Sequence, residues 1–246
     1  METMNQIPSE KKVNPHVSVD CVLFGYDGGH LNVLLVQQNG EDSCRMKLPG
    51  SLIYEDEDLD EAAQRVLYEL TGIDNIDLVQ FKAFGSKDRT KNPKDTLWLE
   101  RFHRLNTTVD RIVTVAYMSI IKTDKRKEQL SPMYNACWLP LDELGVLAFD
   151  HNQIIEYAHE QLIRYIEVNP AIIYSLLPHK FTILQIRHLN ECLYNKELDQ
   201  RNFHKKIMRL KYVFALNEFE DDVKHRAARY YKFDRKTYNK EIHKIF

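Results

Sequence analysis

One stretch limits what the rest of the chain can become: residues 48–73, LPGSLIYEDEDLDEAAQRVLYELTGI. It opens on a Pro-Gly pair, passes through the acidic run Glu55-Asp56-Glu57-Asp58, and continues in a helical rhythm. Over residues 60–71 the apolar positions Ala62, Ala63, Val66, Leu67 and Leu70 recur at helical spacing. Asp58 or Asp60 can cap the start by accepting bonds from otherwise unpaired amides. Gly72 stands where a left-handed residue ends a helix. A loop, a capped amphipathic helix and a tight stop must lay one apolar stripe against a flat surface. The acidic run is read as solvated loop and not as a metal site, because neighbouring carboxylates repel.

The flanking sequence offers that surface. VSVDCVLF (17–24) and LNVLLVQ (31–37), joined through Asp27-Gly28-Gly29, read as a hairpin. Residues 76–84 and 112–122 read as further strands, and 141–144 and 152–168 as helical. The polar segment 86–110, which contains Trp98, stays unassigned. Mixed strands and helices make an α+β fold, with helices over a sheet as in an α/β/α sandwich. After Asn169-Pro170 the pattern changes. A short apolar helix (171–177) precedes a helix over 183–194 capped by Thr182, then a helix over 200–210 capped by Asp199. Two strand-like runs (212–219 and 227–233) flank a polar turn, so this part reads as a C-terminal winged helix-turn-helix. The expected division is a flexible leader over 1–15, a sensing domain over 16–169 and a DNA-binding domain over 170–246.

Charge separates the same two parts. Residues 176–246 carry sixteen Lys and Arg against nine Asp and Glu, although the whole chain has a net charge of −2. A basic second part points to a polyanion partner there and only there. No apolar run approaches the roughly 20 residues needed to cross a bilayer. The start, METMNQIPSEKKVNPH, has no apolar core of a signal peptide. Cys21, Cys44, Cys137 and Cys192 are scattered without a zinc spacing, so a reduced, cytoplasmic setting is expected, with no cofactor and no metal.

Residues 48–73 resemble the Nudix box, in which a helix bears the carboxylates that hold divalent cations on a diphosphate. Pro49 and Gly50 match its lead-in, Glu57 its first glutamate, Arg65 its arginine, Leu67 its aliphatic position, Glu69 one of its paired glutamates, and Gly72-Ile73 its close. Ser51 replaces the leading glycine, and Val66 and Leu70 replace two glutamates. Val66 and Leu70 lie four residues apart, on one helix face, where a hard cation would need oxygen ligands. Hydrolysis is therefore expected to be lost, and Glu57 and Glu69 are read as ion-pair partners of Arg65.

The segment LDQRNFHKKIMRL has an inward seam of Phe203, Ile207 and Leu210. Arg201, Asn202 and Lys205 fall on its outer, N-terminal half for base edges, with Lys206 and Arg209 beside them. Lys224, His225, Arg226 and Arg229 in the wing, and Thr182 and Gln185 at the preceding helix, are candidates for the DNA backbone. Together with LLPHKFTILQIRHL, HRAARYYKFD and AFDHNQII, these features resemble the Nudix-related transcriptional regulators of bacteria over residues 15–235. The resemblance implies homodimers on double-stranded palindromic operators and a small effector in the sensor. With the box stripped of carboxylates, the expected effector is a neutral sugar such as L-arabinose, held by Tyr54, Trp98, Tyr117, Asp150 and His151. The expected function is repression of carbohydrate-use genes. The alternatives are an active Nudix hydrolase of ADP-ribose-like nucleoside diphosphates, and a sensor whose basic part binds RNA or a protein partner in place of duplex DNA.

Overall fold

The computed structural model describes residues 11–38, 45–93, 95, 111–123, 134–221 and 227–242. Strand β1 (Val13–Tyr26) is the axis of the first part. It pairs antiparallel with β2 (Leu31–Gln38) through the expected hairpin, Tyr26 opposite Leu31. It also takes β3 (Gly50–Tyr54) antiparallel. On its other side it runs parallel to β5 (Val113–Lys122), from Val17 opposite Val113 to Tyr26 opposite Lys122. Outside these lie β4 (Val79–Phe84) on β5 and β6 (Tyr134–Pro140) on β2.

Alternation along β1 decides what each face receives, because successive side chains in a strand point to opposite sides. Val19, Cys21 and Leu23 face helix α1 (Leu59–Thr71), in a cluster with Ala62, Ala63, Val66, Leu67 and Leu70. Val22, Phe24 and Tyr26 face helix α2 (His151–Val168), with Ile154, Ile155, Ala158 and Leu162. The sheet is thus covered on both sides, as the sequence leads one to expect. Asp58 caps α1 by accepting from the Asp60 and Glu61 amides, Glu61 bonds back to the cap, and Gly72 closes the helix at φ 77°.

The second part follows α3 (Ala171–Ser175). It comprises β7 (Phe181–Thr182), α4 (Ile183–Tyr194), α5 (Gln200–Met208), β8 (Val213–Phe219), β9 (Arg229–Phe233) and α6 (Arg235–Ile242). Its three strands lie in the order β7-β9-β8. Tyr174 stacks on Phe233 at 4.2 Å between ring centres, and Tyr212 meets Tyr238 edge-on at 5.1 Å. These rings tie α3, the small sheet and α6 together. Leu177, Phe181, Ile186, Leu189 and Leu193 belong to the same apolar cluster as the α2 face, so the two parts share one core.

Three features depart from the sequence expectation. Strand β1 begins at Val13, inside the stretch read as a leader, because Val13 pairs with Tyr54. Strand β4 starts at Val79, three residues later than its apolar run. The strands β3, β6 and β7 and the helix α6 have no counterpart in the sequence reading.

Candidate functional site

The box segment is assembled around Arg65. Its guanidinium donates to Glu57 at 2.5 and 2.8 Å, to Glu69 at 3.0 Å and to the Leu52 carbonyl at 3.2 Å. Glu57 also accepts from the Tyr54 amide at 2.8 Å, which ties the loop to the end of β3. Partial burial works against the Glu57 charge, yet the bonds from Arg65 and Tyr54 hold this carboxyl below its ordinary value. The Tyr54 ring carries the Arg65 guanidinium at 4.1 Å and the Lys11 ammonium at 5.0 Å. Val66 and Leu70 are 0% and 3% exposed, sunk into the cluster under the sheet. The donor set therefore does not fit the divalent cation of a Nudix box: Glu69 is committed to Arg65, and its two expected companions are core.

A second group of charges lies on the opposite face of the sheet, where Asp20 points toward α2. Arg89, from the turn after β4, grips Asp150 through Nε at 3.1 Å and a terminal nitrogen at 2.9 Å, and reaches Asp20 at 3.4 Å. His151 Nδ1 accepts the Leu48 amide at 2.8 Å, and its Nε2 lies 3.6 Å from Asp20. Lys47 donates to the Gly50 carbonyl. Asp20, Lys47, Arg89 and His151 are all under 9% exposed. Burial alone would lift Asp20, but His151, Arg89 and Lys47 together pull it below its ordinary value. Burial lowers His151 to about 4, and the Leu48 amide needs its unprotonated Nδ1.

A neutral native His151 has a defined consequence for acid stability. The unfolded imidazole takes a proton near pH 6.5 and the folded one only near pH 4, so the unfolded state binds more protons between these values. Stability is fully present above pH 6.5 and is expected to fall by roughly 3 kcal/mol as the pH drops to 4. Chemical denaturation at pH 7.5, 5.5 and 4.5 checks this, and His151→Gln, which retains an acceptor, should flatten the profile.

The residues expected to gather around an effector are not brought together. Tyr117 is 1% exposed on the α1 side, and its hydroxyl donates to Asp60 at 2.6 Å. Burial, then the Asp60 carboxylate, pushes its pKa up, so it serves as a protonated donor holding the start of α1. Asp150 and His151 lie across the sheet in the Arg89 cluster. Asp150 makes no side-chain cap on α2. Tyr54 sits under Arg65, and Trp98 falls outside the described residues. Sequence reading missed Asp20, Lys47 and Arg89. Only Asp20 left a signal, a charge inside the apolar run VSVDCVLF.

In the second part, Asp199 caps α5 by accepting the Asn202 amide at 2.8 Å, and Phe203 and Ile207 are buried as expected. Arg201, Asn202, Lys205, Lys206 and Arg209 are exposed along its outer side. Thr182 is not open to a phosphate. It is 1% exposed, and its hydroxyl accepts the Gln185 backbone amide while the Gln185 side-chain Oε1 accepts the Thr182 backbone amide. Both build the cap of α4. Arg229 donates to the Leu216 carbonyl at 2.5 Å, bracing the wing strands. Lys224, His225 and Arg226 lie outside the described residues.

An outward basic helix set on a capped helix pair, with a wing behind it, defines a DNA-binding protein, here joined to an α/β domain with a box-like helix. Residues 14–161 match the NUDIX domain, and residues 173–233 match the NrtR DNA-binding winged helix domain. The chain belongs to the NUDIX family. It is 27% identical over 234 residues to the ADPR responsive transcriptional repressor NtrR of Acinetobacter baylyi, covering 92% of this chain and 85% of that protein. The crystal structure of Shewanella oneidensis NrtR is similar at 26% identity and a TM-score of 0.61, over 89% of this chain and 94% of that one. The same protein complexed with a 27mer DNA is 25% identical, with a TM-score of 0.62 over 91% and 95%.

Proposed function

We propose that this protein is a transcriptional repressor that binds operator DNA through α5 and the wing. Its hold on DNA is set by ADP-ribose bound, but not hydrolysed, in the Nudix domain. The observation that carries this reading is the combination of an apolar, buried pair at Val66 and Leu70 with an exposed cationic helix on a winged-helix frame. The pair speaks against the cation cluster that hydrolysis needs. The relative from Acinetobacter baylyi, named as ADPR responsive, supports ADP-ribose over the pentose expected from the sequence. The chemistry is consistent: a diphosphate can be held by cations and backbone amides with no metal ligand at all. Two copies on a two-fold operator fit a helix of this kind, with half-sites spaced by about a helical turn of DNA or a multiple of it.

Fluorescence anisotropy on DNA from upstream of the protein's own locus tests the proposal. ADP-ribose should change the operator affinity about 5- to 150-fold, the ordinary range of coupling between two sites, while L-arabinose should not. AMP should not accumulate from ADP-ribose and magnesium in the same samples. A response to the pentose alone, or steady release of AMP, would sink the reading.

A further inference from the structure

The Arg89 cluster is poorly explained as a stabilising device. Burying ion pairs costs about as much desolvation as the pairing returns, and their best-attested use is to fix one arrangement over another. Its position shows what it fixes. Four consecutive residues ahead of and at the start of α2 are each held by a different partner. The Ala148 amide donates to the Met46 carbonyl at 2.9 Å, and the Phe149 amide to Asp95 at 2.9 Å. Asp150 takes Arg89, and His151 takes the Leu48 amide. Phe149 is in the left-handed region at φ 56°, a strained conformation for an aromatic residue, and such strain persists only where the surroundings over-determine it. The partners come from the box lead-in (residues 45–50) and from the segment after β4, both parts of the sensing domain.

The winged helix is seated farther along α2, from the middle of the helix onward. His159 Nε2 lies 2.8 Å from the Leu193 carbonyl near the end of α4, and Ile155, Ala158, Leu162 and Ile166 share the cluster of Leu189 and Leu193. The Cys192 thiol donates to the Gly29 carbonyl in the β1–β2 turn at 3.1 Å. A cavity of about 190 Å³ lies farther along α2, between that helix, the β4–β5 side of the sheet and α3, and is lined by Val79, Met118, Leu162, Tyr165, Ile172 and Ser175. An α-helix of 18 residues is a rod about 27 Å long.

We infer that the cluster of Asp20, Arg89, Asp150 and His151 is the coupling element of the protein. It clamps the start of α2 to the sensing loops, and α2 carries any change in that clamp to α4 and so to the DNA-reading helix. The inference rests on the regulator reading for its purpose, but its mechanical content can be measured without any effector.

The test is hydrogen–deuterium exchange on the full chain, comparing wild type, Asp150→Asn and Gly72→Ala. Asp150→Asn removes the anion that Arg89 grips. Gly72→Ala strains a left-handed position on the opposite face of the sheet and serves as a control for general loss of stability. Residues 186–194 should exchange about fivefold or more faster in Asp150→Asn than in Gly72→Ala, the low end of ordinary coupling, once the strands β1 and β5 are used to match the two for global stability. Faster exchange confined to residues 45–50, 86–93 and 148–153 would overturn the inference. So would equal effects of the two variants on residues 186–194. Failure of ADP-ribose to alter DNA binding would instead strike the proposed effector and leave this result standing.

Discussion

Replacing Arg201 and Lys205 with glutamate together is expected to weaken operator binding by two orders of magnitude or more without unfolding the domain. Both side chains are exposed on α5, while the contacts that form the helix, the Asp199 cap and the buried Phe203 and Ile207, are untouched. A base-edge pair contributes about 1–3 kcal/mol and each phosphate contact steepens the salt dependence by about one unit. Reversing charge adds repulsion from the phosphates to the loss of both. Anisotropy across a salt series should show a lower affinity and a shallower slope. Circular dichroism and the melting temperature should stay near those of wild type. Unchanged operator affinity would remove α5 as the reading element.

Restoring the box with Val66→Glu and Leu70→Glu should not create a hydrolase. It should unfold the sensor. Both positions are core, 0% and 3% exposed, against Val19, Cys21, Leu23 and Tyr117. A carboxylate without a partner at such a position costs several kcal/mol, and the two replacements lie on the same helix face, where they also repel. For a chain of this size each kcal/mol moves the melting temperature by about 2–4 °C, so a fall of 10 °C or more is expected, or failure to accumulate as soluble protein. A stable double variant that releases AMP from ADP-ribose with magnesium would show that the apolar pair is a recent loss in an otherwise competent frame.

What the sequence made legible were features fixed by near neighbours. Asp58, Thr182 and Asp199 each cap the helix that follows them, and Gly72 ends α1 with positive φ, because a helix terminus is satisfied within three or four residues. The inward seam of α5 follows from periodicity in the same way. What escaped depends on partners far away in the chain. Arg89 meets Asp20 and Asp150, 69 and 61 residues distant, and nothing local marks a lone arginine in a polar segment as buried. The strand β3 has five residues inside the box lead-in, and α6 buries only Tyr238, too little to stand out. The expectation of a pentose finds no support in the relatives, one of which is named as ADPR responsive. Missing metal ligands bear on hydrolysis and not on recognition of a diphosphate, which cations and backbone amides can provide without a metal.

The apolar cluster that runs from β1 through α2 into α4 has a consequence for how such proteins diversify. The surface that seats the winged helix is supplied by the sensor, so a foreign winged helix could not be grafted on without its matching α2 face.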